Sequence, residues 1–150
     1  MTVDFAHKYG PWAVIAGASE GIGACLADEL AGRGLNLVLI ARNEALLEEV
    51  AERARAQHGI ETRVLAQDLT EPQIGDRVVA AVDGLDVGLV IYNAGASDRT
   101  THFLDNDYEY SLKQISLDCI GPTALARAFG PAMVDRGRGG IVLVASLACL

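Results

Sequence analysis

The fold of this chain is decided by a glycine-rich stretch near its amino terminus, Gly17-Ala18-Ser19-Glu20-Gly21-Ile22-Gly23. The stretch follows the apolar run Trp12-Ala13-Val14-Ile15-Ala16, which is typical of a buried strand, and precedes a helical pattern over residues 24–33. Glycines allow the backbone to turn tightly and let a ligand approach without meeting a Cβ atom. Because the free N–H groups at the start of a helix attract anions, the stretch predicts a site for a phosphate or pyrophosphate group.

The spacing of the three glycines separates this loop from two common nucleotide-binding motifs. It is Gly-x-x-x-Gly-x-Gly rather than the Gly-x-Gly-x-x-Gly of the usual dinucleotide fingerprint, and it lacks the Gly-Lys-Ser/Thr of a nucleoside triphosphate loop. A tight turn without a ligand is the alternative interpretation. The strand before the loop and the helix after it favour the phosphate site.

Strand-like and helix-like segments alternate along the chain, which is typical of a parallel sheet covered by helices on both faces. Five segments have the composition of strands, residues 12–16, 36–41, 61–67, 87–92 and 140–145. The sequence has no internal repeat and no linker, so residues 1–150 are expected to form one dinucleotide-binding domain of the α/β class.

Local signals indicate where the intervening helices begin and end. Asn43 is expected to cap the helix after the second strand, and Gly59 stands where that helix should end. Thr70 is expected to cap the next helix, with Pro72 in its first turn.

The composition excludes several classes of partner. A net charge of −8 argues against binding to nucleic acid or to an anionic membrane. No apolar run approaches the roughly 18 residues of a membrane-spanning helix, and the amino-terminal residues lack the features of a secretory signal. Cys25, Cys119 and Cys149 have no metal-site spacing and are expected to be small buried residues. We therefore expect a cytoplasmic protein that binds a small molecule and no metal.

Motifs further along the chain give the glycine loop a family context. Tyr92-Asn93-Ala94-Gly95 ends the fourth predicted strand, and Ser146 follows the fifth. With the glycine loop, these motifs resemble the short-chain dehydrogenase/reductases, which have Asn-Ala-Gly after the fourth strand and Ser after the fifth. The resemblance covers the whole chain and implies a Rossmann-type doubly wound sheet of strand order 3-2-1-4-5, truncated after the fifth strand.

The resemblance implies an oxidoreductase that transfers hydride between a nicotinamide coenzyme and the carbonyl or alcohol carbon of a small, apolar substrate. A 3-ketoacyl group, a steroid-like molecule or another ketone would suit. The Tyr-x-x-x-Lys pair that moves the proton in this family would lie past Leu150, so the chain is expected to be part of a longer reductase, which would form a homodimer or tetramer. A dinucleotide-binding module without chemistry is the alternative, and an S-adenosylmethionine-dependent methyltransferase is a third interpretation.

Arg42 bears on the choice of coenzyme. It stands about 20 residues after Gly23, where NAD-dependent proteins usually have an acid for the ribose hydroxyls. A guanidinium instead binds a 2′-phosphate by charge-assisted hydrogen bonds. The sequence therefore favours NADP(H) over NAD(H) and disfavours the methyltransferase. Alternatively, Arg42 is only a solvated charge. Glu20 is a departure, because NADP-dependent members often have a basic residue in this stretch.

The resemblance assigns further contacts with the coenzyme. Ser19 would contribute its hydroxyl, Ile22 would pack beneath the nicotinamide end, and Asp68 would bind the adenine amino group. Asp68 could equally cap the next helix, and the two roles are compatible. Asn93 would hold the central strands together. The full predicted coenzyme site consists of Gly17, Ser19, Glu20, Gly21, Ile22, Gly23, Arg42, Asn43, Asp68, Leu69, Asn93, Ala94 and Gly95.

Two residues are predicted to take part in the chemistry. By the resemblance, Ser146 hydrogen-bonds the substrate oxygen and stabilises the charge that develops on it. Asp118 aligns with a family Asn, in a long helical region over residues 105–135 that Gly121-Pro122 and Gly130-Pro131 are expected to kink. An ionised Asp only accepts hydrogen bonds, so Asp118 either holds the water of a proton relay or faces solvent.

Overall fold

The computed structural model describes residues 5–95 and 102–146. The strands are β1 (Trp12–Ala16), β2 (Asn36–Ala41), β3 (Thr62–Ala66), β4 (Val87–Tyr92) and β5 (Gly140–Leu143). The helices are α1 (Phe5–Tyr9), α2 (Gly21–Gly32), α3 (Glu44–His58), α4 (Ile74–Ala81), α5 (Tyr108–Ile115) and α6 (Gly121–Arg136). A 3-10 turn, Phe103–Asp105, precedes α5, and a π-turn, Ser116–Ile120, joins α5 to α6.

The five strands form one parallel sheet in the order β3-β2-β1-β4-β5, which confirms the predicted Rossmann-type topology. All five residues of β1 are buried, because this strand lies in the middle of the sheet with neighbours on both sides. The direction in which the chain adds strands reverses between β1 and β4. Such a reversal opens a crevice beyond the carboxyl ends of the strands, where ligands bind in open α/β sheets.

Two apolar clusters lie on opposite faces of the sheet, because successive side chains of a strand point to opposite sides. Val14 packs in one cluster with Leu125 of α6. Ile15 packs in the other cluster with Leu47 of α3. Burying one such side chain contributes about 1.5–3 kcal/mol relative to leaving it in water. The two clusters hold the helices against the sheet, and the glycine loop emerges at the carboxyl end of β1.

The start of α4 differs from the prediction. Thr70 does not cap this helix, which begins at Ile74 after Gln73 in a left-handed conformation with φ of 59°. The Thr70 hydroxyl and amide both donate to the Asp68 carboxylate, so the Thr70 side chain is already engaged in a local turn. Asp68 therefore closes this turn and does not cap α4.

The predicted lengths of two strands were also too long. β3 lacks the expected residues 61 and 67, and β5 ends before residues 144 and 145. Backbone hydrogen bonds nevertheless continue past these ends, because Gln67 N donates to Ala41 O and Val144 N donates to Tyr92 O, each over 2.9 Å. The strands lose regular geometry there but remain attached to their neighbours.

The two Gly-Pro pairs occupy different positions in the helical region. Gly121 and Pro122 are the first two residues of α6, directly after the π-turn, whereas Pro131 lies inside α6, which continues to Arg136. Regular α-helix is thus interrupted just before the first pair and continues through the second.

The exposed cysteines contradict the expectation of buried thiols. Cys25 is exposed because α2 buries a different face, which carries Ala27, Leu30 and Ala31. Cys119 lies exposed in the π-turn. Cys149 lies outside the described residues.

Candidate functional site

The glycine loop leaves β1 at the crevice between β1 and β4. Gly17 N donates to Ile40 O over 2.7 Å, and Ala18 N donates to the same oxygen over 3.2 Å, so the loop begins bound to the end of β2. A Cβ atom on Gly17 would lie 2.6 Å from Ala94 N, and Gly17 has a φ of 82°. Both the close approach and the positive φ require glycine at this position.

The start of α2 is pressed against the same point. A Cβ atom on Gly23 would overlap Gly17 O and would lie 2.9 Å from Asn93 Nδ2. The Asn93 side chain donates from Nδ2 to Gly17 O over 3.0 Å. Asn93 N and Ala94 N both donate to Ala16 O over 2.9 Å. The loop, the first turn of α2 and the end of β4 are therefore joined into one unit.

In the part of the chain that the structure describes, no side chain caps the amino end of α2. Glu20 occupies the N-cap position with extended backbone, and its side chain makes no capping hydrogen bond. The first N–H groups of a helix have no partner within the helix, so they depend on caps, water or a ligand. Ile22 is 63% exposed beside them, Gly21 is exposed, and Ser19 is partly buried. The uncapped amides, together with glycines that leave room for a ligand to approach the backbone, fit a pyrophosphate group.

Arg42 and Asn43 follow β2 at the same edge of the sheet. Asn43 caps α3, because its Oδ1 accepts a hydrogen bond from Leu46 N over 3.2 Å. Arg42 is exposed, and among the described residues it takes part in none of the ion pairs. Within the described ranges its guanidinium is therefore not held in an ion pair, whereas the Asn43 side chain is engaged in the cap.

Asp68 follows β3 and carries a stabilised negative charge. It accepts hydrogen bonds from Thr70 N over 2.9 Å and from Thr70 Oγ1 over 2.7 Å. Partial burial raises the pKa of Asp68, but these hydrogen bonds and the charges of Lys113 and Arg42 outweigh burial and hold the pKa below its usual value. Asp68 is therefore an ionised acceptor at neutral pH. The neighbouring Leu69 is only 5% exposed and packs in the core.

Asp118 is brought to the end of β4 by the π-turn. Its Oδ1 lies 2.9 Å from the position that a Cβ atom on Gly95 would occupy. Gly95 has a φ of 152°, so a glycine is favoured there for its backbone as well as for its lack of a side chain. Asp118 is exposed, and it faces the Asn93-Ala94-Gly95 segment instead of bulk solvent alone.

Ser146 follows β5, the strand beside β4. It is exposed, and Val144, two residues earlier, is bound through its amide to Tyr92 O over 2.9 Å. The carboxyl ends of all five parallel strands lie on the same side of the sheet, so the predicted site residues that follow these strands lie on that side too. Direct contacts join the glycine loop to Asn93 and Ala94, and Asp118 lies against Gly95.

The sequence pattern alone does not single out Tyr92 as more than a strand residue. Its side chain is buried, and its hydroxyl donates to Leu117 O in the π-turn over 2.7 Å. The only signal is indirect, because Pro122 removes a backbone donor near the turn.

Two classes of site have no support in residues 5–95 and 102–146. No three His, Cys, Asp or Glu side chains there are grouped so that they could hold a metal ion. In the same ranges, no helix is both long enough and apolar enough to cross a membrane.

Known proteins resemble the chain in both sequence and structure. Residues 11–150 match the sequence model of the family described as short chain dehydrogenase. The very-long-chain 3-oxoacyl-CoA reductase of Bos taurus is 34% identical over 140 residues, which cover 91% of this chain but 45% of that protein. The chain thus spans less than half the length of this relative.

Solved structures of similar proteins agree with the sequence match. A structure from work on 7β-hydroxysteroid dehydrogenase stereoselectivity superposes with a TM-score of 0.90 at 29% identity, covering 95% of this chain and 56% of the other. A short-chain dehydrogenase from Sphingobium yanoikuyae in complex with NADPH gives a TM-score of 0.85 at 35% identity, covering 92% of this chain and 54% of the other. These likenesses leave the methyltransferase interpretation without support. On the family match over residues 11–150, the chain belongs to the short-chain dehydrogenase family.

Proposed function

We propose that this chain is the coenzyme-binding part of an NADP(H)-dependent oxidoreductase acting on the carbonyl or alcohol carbon of a small, apolar substrate. The observation that carries the proposal is the bare amino end of α2, held against β1 and β4 by an approach that only glycine allows. A nicotinamide dinucleotide, when bound, supplies or accepts the hydride.

The residues at this edge of the sheet have the chemistry that such a coenzyme needs. The amides of residues 17–23 would bind the diphosphate, with Ser19, Glu20 and Ile22 beside it. The ionised Asp68 would accept from the adenine amino group next to Leu69, and the segment from Asn93 to Gly95 would lie against the ribose.

NADP(H) is proposed over NAD(H) because of Arg42. Its exposed guanidinium carries a positive charge beside Asn43 at the end of β2, where an acid would repel a 2′-phosphate. The NADPH complex of the Sphingobium yanoikuyae relative supports this choice.

Ser146 and Asp118 would act on the substrate side. The Ser146 hydroxyl would hydrogen-bond the substrate oxygen and stabilise the charge that develops on it. Asp118 would hold a water by accepting its hydrogen bond, because an ionised carboxylate has no proton to donate. The names of two relatives, a 3-oxoacyl-CoA reductase and a hydroxysteroid dehydrogenase, support a ketone on an apolar body as the substrate class.

We also propose that the protein forms a homo-oligomer and is located in the cytoplasm. Exposed apolar side chains on α5 and the π-turn, such as Ile115 and Ile120, support association as a homodimer or tetramer. A cytoplasmic location stays a prediction from the sequence.

Turnover tests the proposed function. The protein at its full natural length is expected to oxidise NADPH with a 3-ketoacyl thioester or a steroid ketone, followed by coenzyme absorbance. Ser146→Ala should lower kcat/KM by about 10²–10³-fold, the typical cost of removing a donor to a developing oxyanion. Thr62→Val removes a hydroxyl at the amino end of β3, away from the site, and should leave turnover unchanged. Coenzyme binding without turnover of any ketone would favour the non-catalytic alternative.

A further inference from the structure

The π-turn leaves one backbone carbonyl without its normal donors. In an α-helix, Gly121 N would donate to Leu117 O, four residues earlier. In this chain Gly121 N donates to Ser116 O instead. The next residue, Pro122, has no N–H to offer. Leu117 O therefore lacks both the helical donor and the donor that would follow in π geometry.

The Tyr92 hydroxyl fills this gap from the neighbouring strand. It donates to Leu117 O over 2.7 Å, and the Tyr92 side chain is only 2% exposed. A Cβ atom on Gly121 would overlap the hydroxyl and lie 3.0 Å from Cζ, so the glycine makes room for this hydrogen bond. Burial raises the pKa of Tyr92, and the charges of Asp118 and Asp68 raise it further, so the hydroxyl keeps its proton and remains a donor.

Tyr92 also connects the other parts of the candidate site. Its carbonyl accepts from Val144 N, two residues before Ser146, and the next residue, Asn93, donates to Gly17 O. The π-turn that its side chain holds carries Asp118, whose Oδ1 lies close to Gly95. One strand residue thus contacts the segment of each proposed catalytic side chain.

We propose that Tyr92 is a positioning residue whose buried hydroxyl, through Leu117 O, fixes the π-turn and thereby the place of Asp118 at the site. This role rests on the function proposed above. Tyr92 does not touch the reacting atoms. It sets the position of Asp118, the side chain proposed to hold a water at the site.

Tyr92→Phe tests the role in the protein at its full natural length, because it removes the hydroxyl and keeps the ring. We expect kcat to fall by about 10- to 100-fold, since small displacements of a positioned group have effects of this size. The Kd for NADPH, measured by calorimetry, should stay within about twofold, because the glycine loop is intact. Amide hydrogen exchange at residues 116–121 should accelerate. Tyr9→Phe, which removes a hydroxyl at α1, is the matched control and should change none of these values.

Gly121→Ala reaches the same hydrogen bond from the helix, because its Cβ would displace the Tyr92 hydroxyl. Gly121→Ala should lower kcat by a similar factor. It provides a second test of the same hydrogen bond if Tyr92→Phe folds poorly. An unchanged kcat in an active protein, a loss of NADPH affinity as large as the loss of kcat, or unchanged exchange at residues 116–121 would overturn the role of Tyr92. A wild-type protein without coenzyme binding or turnover would instead refute the proposed function, and the exchange measurement would still decide whether Tyr92 holds the π-turn.

Discussion

Gly23 is the residue at which the fold and the candidate site depend on the same contacts. A Cβ atom on Gly23 would overlap Gly17 O and crowd the Asn93 amide, so a side chain there would push α2 away from β1 and β4. The amides proposed to bind the diphosphate belong to this same turn. A change at Gly23 should therefore affect stability and coenzyme affinity together.

Gly23→Ala is expected to lower the free energy of unfolding by about 1–3 kcal/mol, because the added methyl meets backbone that cannot move aside easily. It should also weaken NADPH binding by more than tenfold. Urea unfolding and calorimetric titration measure the two effects.

Gly32→Ala is the matched control for this substitution, because it lies in the same helix and its Cβ would make only an ordinary contact, 3.5 Å from the His58 ring. It should be neutral or stabilise the protein by about 0.5–1 kcal/mol. Equal effects of the two substitutions would show that the close approach at Gly23 is unimportant.

Single residues also show where sequence reasoning succeeds and where it cannot. The roles of Gly17 and Gly23 in the turn were predictable, because glycine spacing between a strand and a helix is a local signal. The hydrogen bond of Tyr92 was not predictable, because its partner Leu117 lies 25 residues away and accepts it only through the irregular π-turn.

At the scale of elements, the ends of α3 show which boundaries a sequence encodes. Asn43 and Gly59 cap this helix as predicted, since a side-chain acceptor at one end and a left-handed glycine at the other are local chemistry. The predicted start of α4 was wrong because Thr70, a good capping residue, donates its hydroxyl and amide hydrogen bonds to Asp68 instead. Competition between two local hydrogen bonds is decided only by the fold around them.

Asn43→Ala is expected to destabilise the protein by about 0.5–2 kcal/mol, because Leu46 N then loses its acceptor. Thermal unfolding should report this loss, and Asn43→Asp, which keeps an acceptor oxygen, should recover most of it. If alanine and aspartate behave alike, the cap contributes nothing.

At the scale of the whole molecule, the strand order is the feature that assembles the site. Alternating strands and helices predicted the parallel sheet, and the family resemblance supplied the order that the structure confirms. The order places β1 beside β4, so the glycine loop meets Asn93 across 76 residues of sequence. β5 lies beside β4 at one end of this strand order.

The central claim is that the amides of residues 17–23 hold a dinucleotide diphosphate and that Arg42 selects the phosphorylated coenzyme. Calorimetric titration of the full natural-length protein with NADPH and NADH tests it most directly. We predict that NADPH binds at least about tenfold more tightly, a difference of about 1.4 kcal/mol. Arg42→Asp should abolish that preference, whereas Arg53→Asp, an equal charge change at an exposed position of α3, should preserve it. Failure of the folded protein to bind either coenzyme would contradict the account.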